Sequence, residues 1–165
     1  MHRNEPLPVY ETAVAAEWVD YNGHMNDAAY ALVFSRSVDA LMDRIGLDAA
    51  ARKATGRSLF TLQMMLHYFK EAREGEALNV DCRVLEHDEK RVRLWLELKS
   101  GREGARLAAS EQLLLSVEQT GEGARAAPWR AETQAALDAL VKAHRGLETP
   151  PQAGQGVALK RKPGP

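Results

Sequence analysis

The chain has 165 residues, 45% of them hydrophobic, which is enough for one core of ordinary size and too little for two full domains. Its 22 basic and 23 acidic residues give a formal net charge of −1, which disfavours a nucleic-acid surface or a charged membrane as partner. The sequence has no apolar run of membrane-spanning length, and its charged start, Met1 to Pro8, is unlike a signal peptide, so we expect a cytoplasmic protein.

The first part of the chain predicts one strand and one long helix. Residues 8–14 read as a strand, and a polar turn follows. Apolar residues then recur at helical spacing: Ala31, Phe34, Val38, Leu41 and Ile45. Asn26 or Asp27 is suited to cap the start of this helix, and Gly46 ends it. Because the apolar stripe is wide, we expect other elements to surround the helix on most sides.

Four strand-like segments follow a loop that contains Thr55, Gly56 and Arg57. They cover residues 59–69, 77–85, 91–99 and 107–118. The third alternates most clearly between apolar and polar residues, as expected for a strand with one solvent-exposed face. The turns between the segments are short, which favours antiparallel neighbours.

The end of the chain predicts a closing helix and a tail. Residues 131–144 are rich in alanine and helical in pattern, whereas residues 146–165 are rich in Pro, Gly and Gln. We therefore expect one domain over residues 1–145 and a flexible tail over 146–165. The predicted fold class is α+β: a curved antiparallel five-stranded sheet wrapped around one long central helix, plus a C-terminal helix.

Cysteine and histidine usage excludes two kinds of site. Cys82 is the single cysteine, so the chain has neither an internal disulfide nor a cysteine-built zinc site. Its alternating apolar surroundings predict an inert core thiol. The five histidines lack ligand spacing, so we expect no metal site.

The segment directly before the long helix carries a family resemblance. Its residues are Asp20, Asn22, Gly23, His24, Met25, Asn26 and, one helical turn later, Tyr30. The segment resembles the hotdog-fold thioesterases related to 4-hydroxybenzoyl-CoA thioesterase and, in its Asp, Asn, His spacing, the plant acyl-carrier-protein thioesterases. The resemblance implies a hotdog fold, hydrolysis of an acyl-CoA thioester, and a homodimer or dimer of dimers with its sites between subunits.

The chemistry of thioester hydrolysis fits this position. The reaction needs a nucleophile or a base for water, and donors for the oxygen that becomes negative, which a helix N-terminus supplies. Carried over from the family, Asp20 activates water or attacks the carbonyl, and Asn22 orients the water or the carboxylate. His24 shuttles a proton or holds the thioester, and the backbone N–H of Asp27 forms the oxyanion contact. The alternative is a purely structural role, in which these residues only build a turn and a helix cap.

A second set of residues narrows the resemblance. It comprises Asp39 to Met42, Ile45, Gly46, Phe60, Thr61, His67, Glu71, Gly75, Asp88, Lys90, Arg91, Glu111, Leu114 and Leu115. These resemble the betainyl-CoA thioesterases of carnitine breakdown and the thioesterase-like domain of carnitine dehydrogenases, over about residues 9 to 145. Members tend to carry an acidic residue where this chain has Gln63, and a histidine where it has Met65.

The resemblance implies a substrate with a trimethylammonium group, which proteins hold between aromatic faces. The candidates for substrate binding are Trp18, Tyr21, Tyr30, Phe34, Phe60 and Tyr68. Arg57, Lys90 and Arg91 are candidates for the coenzyme A phosphates. The alternatives are ordinary core aromatics and a solvated charged face, and an uncharged short-chain acyl-CoA would fit the same residues. No cofactor is expected beyond the coenzyme A of the substrate.

Two other functions stay open at this point. One is a hotdog module that binds an acyl-CoA or a quaternary amine without hydrolysis, which Gln63 favours. The other is an acyl-CoA hydratase or dehydratase, in which Asp20 and His24 would act as acid and base. The Asp, Asn, His spacing favours hydrolysis over the hydratase or dehydratase, and thiol release from acyl-CoAs would separate a thioesterase from the binding module.

Overall fold

The computed structural model describes residues 4–102 and 104–159. The strands are β1 (Leu7–Ala13), β2 (Arg57–Tyr68), β3 (Ala77–His87), β4 (Arg91–Ser100), β5 (Arg106–Thr120) and β6 (Gly123–Ala126). The helices are α1 (Asp27–Arg44), α2 (Ala49–Thr55) and α3 (Ala131–His144), and a short 3-10 turn covers Ala16–Trp18. The predicted α+β class is confirmed. No helix in the described ranges is long and apolar enough to cross a membrane.

The sheet is antiparallel, in the order β1-β3-β4-β5-β2, with β6 paired to the end of β5. Helix α1 supplies Val33, Phe34 and Leu41 to the core, where their side chains are fully buried with Leu94 and Leu114 of the sheet. Truncating one such side chain to alanine costs about 2–5 kcal/mol of stability. The core therefore fixes α1 against one face of the sheet, and with it the loop that precedes α1.

Two elements were not expected from the sequence. Helix α2 lies where the sequence predicts a loop. It has no buried residue, so its sequence lacks the apolar spacing that predicts a helix. Its ends are set by local chemistry: the Asp48 side chain accepts a hydrogen bond from the Ala51 N–H at 2.8 Å, and Gly56 has a left-handed φ of 67°. Strand β6 is four exposed residues long and equally lacks an apolar pattern.

Helix α3 covers the part of β3 that β1 leaves unpaired. The pairing of β1 with β3 ends at Cys82, and two residues further on the Val84 N–H donates to Nδ1 of His144 at 3.1 Å. Burial of His144, followed by the nearby Arg83 charge, lowers its pKa and favours the neutral ring that accepts this bond. The C-terminal helix thus closes a sheet edge.

The residues after α3 cross the sheet face that is turned away from α1. Arg83 donates to the carbonyls of Leu147, at 2.7 Å, and Glu148. Further along, the Gly154 N–H donates to Oε2 of Glu111 at 2.8 Å. These contacts describe the segment up to residue 159. The flexible tail and the domain boundary at residue 145 stay predictions.

Strand β2 is the last strand of the sheet. Large apolar side chains on and just after it are exposed: Phe60, Leu62, Met64, Tyr68 and Phe69. An apolar strand with an unpaired backbone edge is a surface on which another chain can add a strand. The sheet therefore presents one apolar edge, at β2.

Candidate active site

The motif loop is closed by the Asp20 carboxylate. Its Oδ1 accepts hydrogen bonds from the N–H groups of Asn22, at 2.8 Å, and His24, at 3.3 Å. The Gly23 N–H donates to the Asp20 carbonyl at 3.0 Å, and Gly23 has a φ of 74°, which favours glycine. Within the described residues Oδ2 of Asp20 accepts no hydrogen bond. One oxygen thus builds the turn and the other is available for chemistry.

At the start of α1 one backbone N–H has no acceptor among the described residues. The Asn26 N–H donates to the Trp18 carbonyl at 2.7 Å, and the Asn26 side chain accepts from the Ala28 N–H at 2.8 Å. The N–H of Asp27 donates no hydrogen bond within residues 4–102 and 104–159. This amide belongs to the first residue of α1, at the positive end of the helix dipole, where an N–H can stabilise a developing negative oxygen.

A cavity of about 290 Å³ lies where the start of α1 meets the end of β2. It is lined by Met25, Asp27, Tyr30, Tyr68, Phe69, Lys70 and Glu71. The rings of Tyr30 and Tyr68 meet edge to face, with centroids 5.3 Å apart. The Tyr68 hydroxyl donates to the Asp27 carbonyl at 3.2 Å, and the Tyr30 hydroxyl accepts from the Ala72 N–H at 3.1 Å. Burial raises the pKa of both tyrosines, so both hydroxyls stay protonated.

His24 connects the motif loop to this cavity. Its Nε2 lies 3.3 Å from Oε2 of Glu71, which follows β2 and lines the cavity. His24 is also paired through its backbone with Arg73. Asp20 does not line the cavity of the single protomer, whereas Met25 and Asp27, at the other end of the same loop, do.

The predicted substrate-binding aromatics fall into different places. Tyr30 and Tyr68 line the cavity. Trp18 is buried, with the Arg36 guanidinium 5.4 Å from its ring centre, and Phe34 is fully buried in the core. Tyr21 is 97% exposed on the loop. Phe60 lies far along β2, paired with Leu115. The structure therefore brings two of the six predicted aromatics into one cavity.

The predicted coenzyme A residues lie at the other end of β2. Arg57 begins the strand and donates to the Pro128 carbonyl at 2.9 Å. Arg91 begins β4 and is paired with Asp88, and Lys90 lies 3.5 Å from Glu89. With 12 residues in β2, at about 3.3 Å per residue, Arg57 and Tyr68 are roughly 35 Å apart in one protomer.

The cavity contains residues that the motif did not single out as a site. Phe69, Lys70 and Glu71 follow β2 directly and line the cavity together with Asp27. In the sequence, Glu71 is one of the residues that resemble the betainyl-CoA thioesterases, and Phe69 marks the end of a predicted strand, but neither pattern predicts a role at the site. Gln63 and Met65 line a different groove, together with Arg93 and Glu111, and neither lines the cavity at Tyr30 and Tyr68.

Two further expectations concern cysteine and metal. Cys82 is buried, and burial raises the pKa of its thiol to about 12, as expected of an inert core residue. Within the described ranges, no three His, Cys, Asp or Glu side chains are arranged to hold a metal ion.

The comparison with protein families covers most of the chain. A model described as the thioesterase-like superfamily matches residues 14–137, which include the motif loop, α1 and β2 to β6. The chain belongs to this superfamily. The predicted family and the predicted enzyme class, a thioester hydrolase, are confirmed.

Curated relatives extend over almost the whole chain. The chain is 46% identical to a betainyl-CoA thioesterase of Pseudomonas aeruginosa, over 94% of this chain and 97% of that protein. It is 35% identical to an L-carnitine dehydrogenase/betainyl-CoA thioesterase of Rhizobium meliloti, over 94% of this chain but 31% of that longer protein. The predicted resemblance to the betainyl-CoA thioesterases is thus confirmed.

Solved structures show the same fold. A proposed thioesterase from Pseudomonas putida KT2440 superposes with a TM-score of 0.80 at 37% identity, covering 95% of this chain and 99% of that one. A Staphylococcus aureus protein solved in complex with CoA superposes with a TM-score of 0.85 at 24% identity, covering 97% and 98%. The chain has the hotdog fold, as predicted.

Proposed function

We propose that this thioesterase hydrolyses betainyl-CoA to betaine and free CoA in carnitine breakdown. The observation that carries the proposal is the 46% identity with a betainyl-CoA thioesterase across nearly the full length of both chains. The cavity supports it, since aromatic rings and carboxylates suit a small cationic acyl group. The enzyme acts in the cytoplasm and needs no metal or cofactor beyond the CoA of its substrate.

In the proposed mechanism the carbonyl oxygen of the thioester lies against the Asp27 N–H. Asp20 uses its free Oδ2 to take a proton from water, or attacks the carbonyl carbon itself. In the water route, a carbon–oxygen bond forms, the carbon–sulfur bond breaks, and the sulfur leaves as a thiolate that receives the proton. His24 and Asn22 hold the reacting groups in place.

The active enzyme is a homodimer in this proposal. The exposed apolar edge of β2 is suited to pairing with a second copy. An antiparallel pairing of two β2 strands around a two-fold axis would place the Arg57 end of one protomer beside the Tyr68 end of the other. The basic residues would then meet the CoA phosphates of a substrate whose acyl group lies in the partner's cavity.

The test is a thiol-release assay on the purified chain. It compares betainyl-CoA with acetyl-, butyryl- and benzoyl-CoA at equal concentrations. We expect the highest kcat/KM for betainyl-CoA. Release from another acyl-CoA in preference to betainyl-CoA would refute the substrate, and binding of all four without release would favour a non-hydrolytic module.

A further inference from the structure

The substrate proposed above has a geometric consequence for the cavity. In betainyl-CoA the quaternary nitrogen is two bonds from the thioester carbonyl carbon. A carbonyl held at the Asp27 N–H therefore leaves the trimethylammonium group only the space next to that amide. The cavity lined by Tyr30, Tyr68 and Glu71 begins there, because Asp27 itself forms part of its wall.

We propose that Tyr68, Glu71 and Asp27 form the subsite for the trimethylammonium group and set the preference for a cationic acyl group. This inference rests on the proposed function and adds the residues that determine specificity. Tyr68 supplies the aromatic face and Glu71 supplies a carboxylate. Asp27, whose Oδ1 accepts a hydrogen bond from the Ala28 N–H at 2.9 Å, adds a second negative charge at the cavity wall. Trp18, Phe34 and Tyr21 are outside this subsite, since none of them lines the cavity.

The Tyr68 ring is held in a fixed orientation. Its hydroxyl donates to the Asp27 carbonyl, and its ring meets Tyr30 at an interplanar angle of 84°. Tyr30 is in turn buried and held by the Ala72 N–H. A preoriented ring loses little conformational entropy when a cation packs on its face.

The residues that line the cavity carry more negative than positive charge. Asp27 and Glu71 are acidic and Lys70 is basic, so the formal charge of the lining is negative by one. A neutral acyl group gains nothing from this charge, whereas a quaternary ammonium group is attracted to it without needing a hydrogen bond. The cavity therefore has a feature that hydrolysis of a neutral short-chain acyl-CoA does not require.

Glu71 also contacts His24, and the test must separate the two roles. A neutral isostere of the substrate does so: in tert-butylacetyl-CoA a carbon replaces the quaternary nitrogen, while shape and thioester are unchanged. A variant that disturbs His24 slows both substrates alike. A variant that removes the cation's counter-charge slows betainyl-CoA alone.

We expect Glu71→Gln to lower kcat/KM for betainyl-CoA roughly tenfold and for tert-butylacetyl-CoA less than about twofold. Glu74→Gln, a charge removal three residues further along the exposed loop, is the matched control and should change neither. Equal losses on both substrates with Glu71→Gln would overturn the subsite and leave the proposed function standing. Failure of the unmodified enzyme to release thiol from betainyl-CoA would overturn the proposed function itself.

Two variants of Tyr68 test whether its aromatic ring contributes to the proposed subsite. Tyr68→Phe keeps the ring and loses only the bond to the Asp27 carbonyl, so most of the preference for betainyl-CoA over the isostere should remain. Tyr68→Leu keeps an apolar side chain without a ring, and the preference should fall about fivefold or more. A preference unchanged in Tyr68→Leu would refute the role of the ring. The inhibition constants of the two products, glycine betaine and 3,3-dimethylbutanoate, give a second measure of the same preference.

Discussion

The two ends of strand β2 differ in chemistry, although one continuous strand joins them. At the Tyr68 end lie the motif loop, the backbone amide of Asp27 and the small aromatic cavity. At the Arg57 end lie Lys90 and Arg91, with their own acidic partners, and a groove of about 420 Å³ lined mainly by charged side chains, Arg91 among them. The proposed acyl site and the proposed phosphate site thus lie at opposite ends of the sheet edge. In the proposed dimer each site would take one half from each protomer, and a two-fold axis would bring the two halves together.

The largest effect is expected at the motif loop, from Asp20→Asn. An asparagine keeps an oxygen that can accept the N–H bonds of Asn22 and His24, so the turn should persist while the negative charge is lost. We expect hydrolysis to fall by about 10³-fold, with the circular dichroism spectrum unchanged. Glu17→Gln, an exposed change shortly before the loop, is the control. Activity of Asp20→Asn like that of the unmodified enzyme would leave the carboxylate a purely structural role.

An intermediate effect is expected at the basic end. Replacing Arg57 and Arg91 by glutamate should raise the KM for acyl-CoA about tenfold or more, since charge-assisted bonds to phosphate would be replaced by repulsion. The kcat at saturation should change little, because these residues lie away from the motif loop. Initial rates over a range of substrate concentrations measure both constants.

Mixing the double variant of Arg57 and Arg91 with Asp20→Asn tests whether each site takes residues from both protomers. If each site takes its two halves from different protomers, half of the randomly reassembled dimers are hybrids, and each hybrid has one intact site. Activity at low substrate should then recover to about a quarter of that of the unmodified enzyme. No recovery after unfolding and refolding the mixed chains would place both halves of each site in one protomer.

The smallest effect concerns Asp88, which holds Arg91 in place. Hydrogen bonds from the N–H of Lys90 and from Arg91 lower the pKa of this carboxyl from 3.8 to about 2. Because folding lowers this pKa, the ionised carboxylate stabilises the fold at pH values above the pKa of the unfolded chain. This stabilisation is lost as the pH falls from about 4 to about 2. Because the side chain is 39% exposed, we expect Asp88→Asn to cost only about 1 kcal/mol at pH 7. Urea unfolding should show this difference shrinking below pH 4, whereas Glu89→Gln should show none.

The elements whose apolar residues recur at regular spacing on the face toward the core were predictable from the sequence. Helix α3 covers Ala131–His144, the predicted bounds, and α1 begins at Asp27 beside its predicted cap Asn26. Helix α2 was missed because it is held by its caps and buries nothing. The motif loop was found through its residue types, but the turn bonds of Asp20 could not be read from them.

The sequence by itself determined the order of the elements, the family and the position of the motif at the start of α1, because apolar periodicity, capping and residue spacing act over a few neighbours along the chain. Only the tertiary structure decided which aromatics share a cavity. Tyr68 meets Asp27 across 41 positions of sequence, and Glu71 reaches His24 from the far end of β2. Such contacts depend on how the sheet and α1 pack together, and no local pattern encodes that distance.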